Sequence, residues 1–170
     1  MTIEEARSLI APATLLPDPA QQWADLGCGS GIFSYALASM LPSGSSIVCV
    51  DKDRQHIDPV YKKVSLQFRQ ADIERTSFEA GSLSGLLIAN ALHYVKDQPA
   101  FIERTMGLLA ERASWIIIEY DSDVPNPWVP YPVSFNSLKK LFDGYGTVRK
   151  LNERPSVYGR ANLYACQVNS

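Results

Sequence analysis

Apolar residues along this chain fall into five short runs: Trp23–Leu26, Ile47–Val50, Leu66 to Phe68 within Ser65–Arg69, Leu86–Ala89 and Trp115–Ile118. Near-continuous runs of that length suit strands buried on both faces, as in a parallel sheet. Between them the spacing changes to that of helices. Phe33, Leu37 and Met40 or Leu41 share one helical face, and Phe101, Ile102, Thr105, Met106, Leu108 and Leu109 share another after Gln98-Pro99-Ala100. Residues 3–10 follow Thr2 as a candidate N-cap, with Glu5 three positions on, and predict a short amphipathic helix before the extended lead-in set by Pro12, Pro17 and Pro19. Pro59 cuts short a helix expected to begin near Asp53. Ser134 or Asn136 caps a last helix that runs through Phe142 and stops at Gly144. Gly146–Leu151 and Ala161–Val168 alternate nearly enough to predict an antiparallel pair at one sheet edge. Strands alternating with helices make this an α/β chain.

The stretch Trp23-Ala-Asp-Leu-Gly-Cys-Gly-Ser-Gly-Ile-Phe organises the rest. A strand that runs through Gly27, Gly29 and Gly31 into a helix brings bare backbone N–H groups to one point, where a polar or anionic ligand fits. A dinucleotide fingerprint would need a third glycine where Ile32 stands, and a P-loop would need a Lys and a hydroxyl residue where Ile32 and Phe33 stand. Asp25-Leu26-Gly27-Cys28-Gly29-Ser30-Gly31 instead resembles the first motif of the class I S-adenosylmethionine-dependent methyltransferases. That resemblance implies a three-layer, Rossmann-like fold with a mostly parallel seven-stranded sheet, order 3-2-1-4-5-7-6, and an antiparallel last strand. It implies S-adenosylmethionine as cofactor and S-adenosylhomocysteine as product, with Asp25 near the cofactor amino group and Gly27, Cys28, Gly29 and Gly31 around its methionine and ribose part.

Further positions follow the same pattern. Asp51, 26 residues beyond Asp25, ends the second strand, where a carboxylate accepts two hydrogen bonds from a ribose diol; the competing role is a helix N-cap, with Lys52 next to it in the cofactor set. Asp72 and Ile73 resemble the adenine-binding corner, although an Asp in a turn also serves as a cap. Asn90-Ala-Leu-His-Tyr-Val sits where small-molecule methyltransferases carry side chains beside the reacting methyl group. Asn90 joins the cofactor set. His93 is a candidate general base or cofactor contact, or a residue docked on the cleft wall; Tyr94 is a candidate partner for the sulfonium, or core. The segment 122–135, with four prolines and three aromatics, predicts a stiff loop beyond a strand end, and Asn126, Trp128 and Tyr131 are its candidate acceptor contacts. Arg154–Arg160 is a second connection that reaches toward the cleft.

Composition narrows the setting. At 170 residues the chain is expected to form one domain, 1–170. A net charge of −2 disfavours a general nucleic-acid surface, although Lys139, Lys140, Arg149, Lys150, Arg154 and Arg160 make residues 137–160 mildly basic. Cys28, Cys49 and Cys166 are too scattered for a disulfide framework, and with His56 and His93 they give no metal spacing. A cytoplasmic location, no membrane contact, a small-molecule acceptor and a homodimer as the assembly to test complete the expectation. Two other classes stay open at this point: a nicotinamide oxidoreductase on the same sheet, and a cofactor-binding partner without catalysis of its own.

Overall fold

A computed structural model describes residues 1–17, 19–156 and 161–169. Its order is α1 (Ile3–Ile10), β1 (Gln22–Leu26), α2 (Ile32–Ala38), β2 (Ser46–Asp51), β3 (Val60–Tyr61), β4 (Val64–Gln70), β5 (Leu83–Ala89), a single 3-10 turn (Leu92–Tyr94), α3 (Gln98–Met106), β6 (Leu109–Tyr120), α4 (Phe135–Leu141), β7 (Thr147–Pro155) and β8 (Asn162–Asn169). All eight strands share one sheet, ordered β3-β4-β2-β1-β5-β6-β8-β7. The pairs β1–β2, β1–β5, β2–β4 and β5–β6 are parallel, whereas β8 runs antiparallel to both β6 and β7. Without the two-residue β3, this is the expected seven-strand order with its reversed strand.

Alternation within the strands splits the core in two. Trp23, Ile47, Cys49, Leu87, Ile116 and Ile118 pack with Ala6, Leu9 and Ile10 of α1 and Phe33, Ala36 and Leu37 of α2. Ala24, Leu26, Val50, Leu86, Ile88, Trp115 and Ile117 pack on the opposite face with Phe101 and Ile102 of α3 and Leu138 of α4. One helix layer therefore covers each side, and each strand residue chooses its layer by parity.

Local chemistry fixes the element ends. Thr2 and Glu5 form a reciprocal capping box on α1, Asp97 caps α3 ahead of Pro99, and Ser134 caps α4. The Tyr164 hydroxyl, buried, donates to the Val133 carbonyl at 2.9 Å and ties the end of the 122–133 loop to β8.

Three expectations need correction. No helix forms near Asp53: residues 52–58 cross from β2 as irregular chain, because Pro59 leaves fewer than two turns, too short a run to offset the cost of nucleating a helix. In its place Val60–Tyr61 folds back on β4 through Lys62 and Lys63, both at positive φ (49° and 68°), and adds the eighth strand. Leu109 belongs to β6 rather than to the preceding helix, pairing with Leu83, so that strand is far longer than Trp115–Ile118.

Candidate functional site

The C-terminal ends of β1, β2, β4 and β5 surround a cleft of about 760 Å³. Of the residues expected to hold a cofactor, Asp25, Gly27, Cys28, Gly29, Asp51, Lys52, Asp72, Ile73 and Asn90 line it, together with Tyr94. Gly31 does not. It is the N-cap of α2 at φ 80°, and its N–H donates to the Cys28 carbonyl at 2.9 Å, so its part is to close the loop.

Asp51 sets the loop's position. Its Oδ2 accepts the Gly29 N–H at 2.8 Å and its Oδ1 accepts the Asp53 N–H at 2.9 Å, while the Gly27 and Cys28 N–H groups donate to the Val50 carbonyl. Gly27, at φ 84°, lies so close to Ala91 that an added Cβ would stand 2.4 Å from the Ala91 Cβ. Gly29, at φ 48°, has nothing within 4 Å of where its Cβ would stand. The first glycine lets the loop after β1 approach the turn after β5; the second leaves the cleft floor bare.

Two buried oxygens in this cleft lack a donor: Asp25 Oδ1 and Asn90 Oδ1. The other oxygen of Asp25 accepts the Ser34 hydroxyl, which in turn accepts the Cys49 thiol at 3.3 Å. Burial, opposed by the Ser34 hydrogen bond and helped by the Asp51 charge, pushes the Asp25 carboxyl up to about 7. Asn90 sits at φ 52°, a left-handed conformation asparagine tolerates, and its N–H donates to the Ile118 carbonyl at 2.8 Å. The Cys28 thiol is raised by its hydrogen bond with Cys49, by burial and by the Asp25 charge, which keeps it protonated and non-nucleophilic.

Asp72 realises its capping role, with Oδ1 accepting the Glu74 N–H at 2.8 Å and Oδ2 near Arg75, yet it still borders the cleft. Lys52 is exposed on the rim, and its carbonyl accepts the Gln70 amide at 3.0 Å. His93, a candidate general base, cofactor contact or docked residue by sequence, sits behind the cleft lining. It is buried, with Nδ1 2.7 Å from Glu119 Oε2 and its N–H on Glu119 Oε1 at 3.2 Å, and it does not line the cleft. Tyr94, beside it, does.

The proline-rich segment forms the expected loop beyond β6. Asn126 Oδ1 accepts the Trp128 and Val129 N–H groups and so closes the turn within it. Trp128 is 73% exposed, and Tyr131 hydrogen-bonds through its backbone to the His93 carbonyl and to the Gln98 side chain; neither these two nor Asn126 line the cleft. Arg154 pairs with Glu5 at 3.3 Å; Val157 to Arg160 lie outside the described residues.

Sequence reasoning missed Ser34 and Glu119 as partners of Asp25 and His93. Ser34 was legible as the polar residue one turn into α2; Glu119 stood at a strand end, 26 residues from His93, with nothing local to join them. Asp53, Gln55 and Glu74 also line the cleft. Among the described residues no cluster of His, Cys, Asp or Glu can hold a metal, and no helix is long and apolar enough to cross a membrane.

Comparison with known proteins decides the family. The family model described as "Methyltransferase domain" matches residues 24–112, from the glycine-loop strand into β6. The chain belongs to that family. Membership of this methyltransferase family displaces the nicotinamide alternative, in keeping with Ile32 where a dinucleotide site needs glycine. No curated protein matches the methyltransferase chain by sequence. Among solved structures it is similar to YcgJ of Bacillus subtilis, with a TM-score of 0.73 at 11% identity over 98% of each chain. It is similar to the 1,6-didemethyltoxoflavin-N1-methyltransferase of Burkholderia thailandensis, bound to S-adenosylhomocysteine, with a TM-score of 0.68 at 17% identity over 99% of this chain and 77% of that one. A third likeness is the arsenic(III) S-adenosylmethionine methyltransferase of Chlamydomonas reinhardtii, with a TM-score of 0.65 at 17% identity over 96% of this chain and 72% of that one. The cofactor of such methyltransferases is S-adenosylmethionine. The two donorless oxygens and the open space over Gly29 fit that group, since its ammonium supplies donors and its chain needs bare backbone.

Proposed function

We propose that this chain moves a methyl group from S-adenosylmethionine to a small-molecule acceptor and releases S-adenosylhomocysteine. The observation that carries the reading is the pair Asp25 Oδ1 and Asn90 Oδ1, both buried, both without a donor, in one cleft above a bare glycine loop. Leaving such oxygens unpaired costs about 1–3 kcal/mol each, more where charge is involved, which a ligand ammonium would recover.

When bound, the cofactor supplies an electrophilic methyl group on sulfur. The residues of the chain bind and align. Asp25 and Asn90 would hold the ammonium, and Gly27, Cys28 and Gly29 would pass under the methionine and ribose part. Asp51, after accepting two backbone N–H groups, keeps lone pairs for ribose hydroxyls. The Asp72–Ile73 corner would border the adenine, with Lys52 on the rim. Tyr94 borders the cleft on its acceptor side and narrows it against water. His93 is held by Glu119 and does not line the cleft, so its role is to support Tyr94. Alignment alone accelerates transfer to a nucleophile that needs no base, a neutral amine or an acceptor already ionised.

A small acceptor suits a cleft of about 760 Å³, within the range of small-molecule sites. Two similar folds act, by name, on 1,6-didemethyltoxoflavin and on arsenic(III). The test is single-turnover transfer of labelled methyl from S-adenosylmethionine by the purified chain to a panel of small acceptors. Transfer supports the reading; cofactor binding with no transfer to any acceptor favours a cofactor-binding partner that serves another subunit.

A further inference from the structure

The acceptor side of the cleft has a chemistry distinct from its cofactor side. Tyr94 lines the cleft yet is 59% exposed, an unusual position for a tyrosine at a cavity wall. Its ring rests on the His93 imidazole, 4.3 Å between centroids and tilted by 52°, and that imidazole is itself fixed by Glu119 at 2.7 Å. The Tyr94 ring therefore has a rigid backing and one free face. A second aromatic residue is tied to the same turn: the Tyr131 N–H donates to the His93 carbonyl at 3.0 Å, and the Tyr131 carbonyl accepts the Gln98 side chain at 2.8 Å. A large aromatic face left in water at a cleft wall, as that of Tyr94 is, marks a binding surface rather than a core.

Charge then excludes one class of occupant. Carboxylates of Asp51, Asp53, Asp72 and Glu74 line the cleft, and among the described residues Lys52 is the one cationic side chain lining it. An anionic acceptor would enter a cleft whose carboxylates outnumber its cationic side chains.

We propose that the acceptor is a planar ring compound, uncharged or cationic, that stacks on the free face of Tyr94. Flat rings gain offset stacking on such a face, which a puckered ring of the same size does not. The inference rests on the proposed methyl transfer at this cleft, and its test separates the two.

The chain is first titrated with S-adenosylhomocysteine by calorimetry. The saturated chain is then titrated with 1-naphthol, which is planar and neutral, with decahydro-1-naphthol, which is puckered, and with 1-naphthoate, which is anionic. The expected result is naphthol binding about tenfold tighter than either of the others, the size of one aromatic pair. Tyr94→Ala should remove that preference and Tyr94→Phe should keep it, with the affinity of each variant for S-adenosylhomocysteine measured first and each variant saturated with it before the probes are added. Failure of S-adenosylhomocysteine to bind the unmodified chain overturns the functional reading and this inference with it. Binding of S-adenosylhomocysteine with no naphthol binding, with equal affinity for the three probes, or with naphthol affinity unchanged in Tyr94→Ala, overturns only the assignment of a flat acceptor.

Discussion

Asp51 Oδ2 accepts the Gly29 N–H at 2.8 Å, so the carboxylate at the end of β2 holds the middle glycine of the β1–α2 loop. The same side chain is thus both a support for the loop and a wall of the cleft. Asp51→Ala removes two charge-assisted backbone contacts and the expected ribose contact together. Cofactor binding should weaken by about 1.5–3 kcal/mol, the scale of hydrogen bonds to a charged group. Calorimetry with S-adenosylhomocysteine checks it, with circular dichroism to confirm the fold.

Gly27 and Gly29 should respond differently to added side chains. Gly29→Val fills open space over the cleft floor, so the chain should stay folded, less the cost of a left-handed residue, about 1–2 kcal/mol, while cofactor binding is lost. Gly27→Ala brings a methyl to 2.4 Å from the Ala91 Cβ and should lower the melting temperature whether or not ligand is present. Thermal melts with and without S-adenosylhomocysteine distinguish the two.

These contrasts show what the sequence could and could not convey. The apolar runs sufficed to place the inner strands, because each buried strand must be covered on both faces, whereas their order was implied by the methyltransferase resemblance of the glycine loop; that loop and Asp51 were legible because both lie at the strand ends that parallel topology brings together. The hairpin through Lys62 and Lys63 was not, since positive φ at two lysines carries none of the Gly or Asn signal of such a turn. The Glu119 partner of His93 comes from a neighbouring strand, and a lone histidine in an aromatic stretch looks the same whether it faces a ligand or a buried carboxylate. Asn126 likewise looked free to bind because its turn is closed by its own side chain, which only coordinates reveal.

The pH dependence of stability should carry the mark of Asp25. An acid whose folded pKa lies above its unfolded value binds more protons folded than unfolded, so stability falls as pH rises between the two. For Asp25 that window runs from the ordinary 3.8 to about 7. Below it the group costs nothing; above it the cost levels off at roughly 4 kcal/mol. Asp25→Asn has no proton to lose. The variant's melting temperature should therefore gain on that of the unmodified chain as pH is raised from 4 to 7, and hold that lead above 7.

His93 and Glu119 should behave as one unit. Each single substitution, His93→Leu or Glu119→Leu, leaves a buried polar partner without its contact and should cost about 3–5 kcal/mol. The double substitution should cost clearly less than the sum, which a denaturant-unfolding cycle measures. Costs that simply add would mean that the two side chains do not depend on each other.

The claim at the centre is that the donorless oxygens of Asp25 and Asn90 await the ammonium of an adenosyl cofactor. Calorimetric titration of S-adenosylhomocysteine against 5′-methylthioadenosine, which carries the same adenosine and thioether but no amino-acid end, tests this most directly. The account predicts one S-adenosylhomocysteine per chain, bound at least about tenfold more tightly than 5′-methylthioadenosine, with the gap closing in Asp25→Asn combined with Asn90→Ala. Equal affinity for the two compounds, or no binding of either, would contradict it.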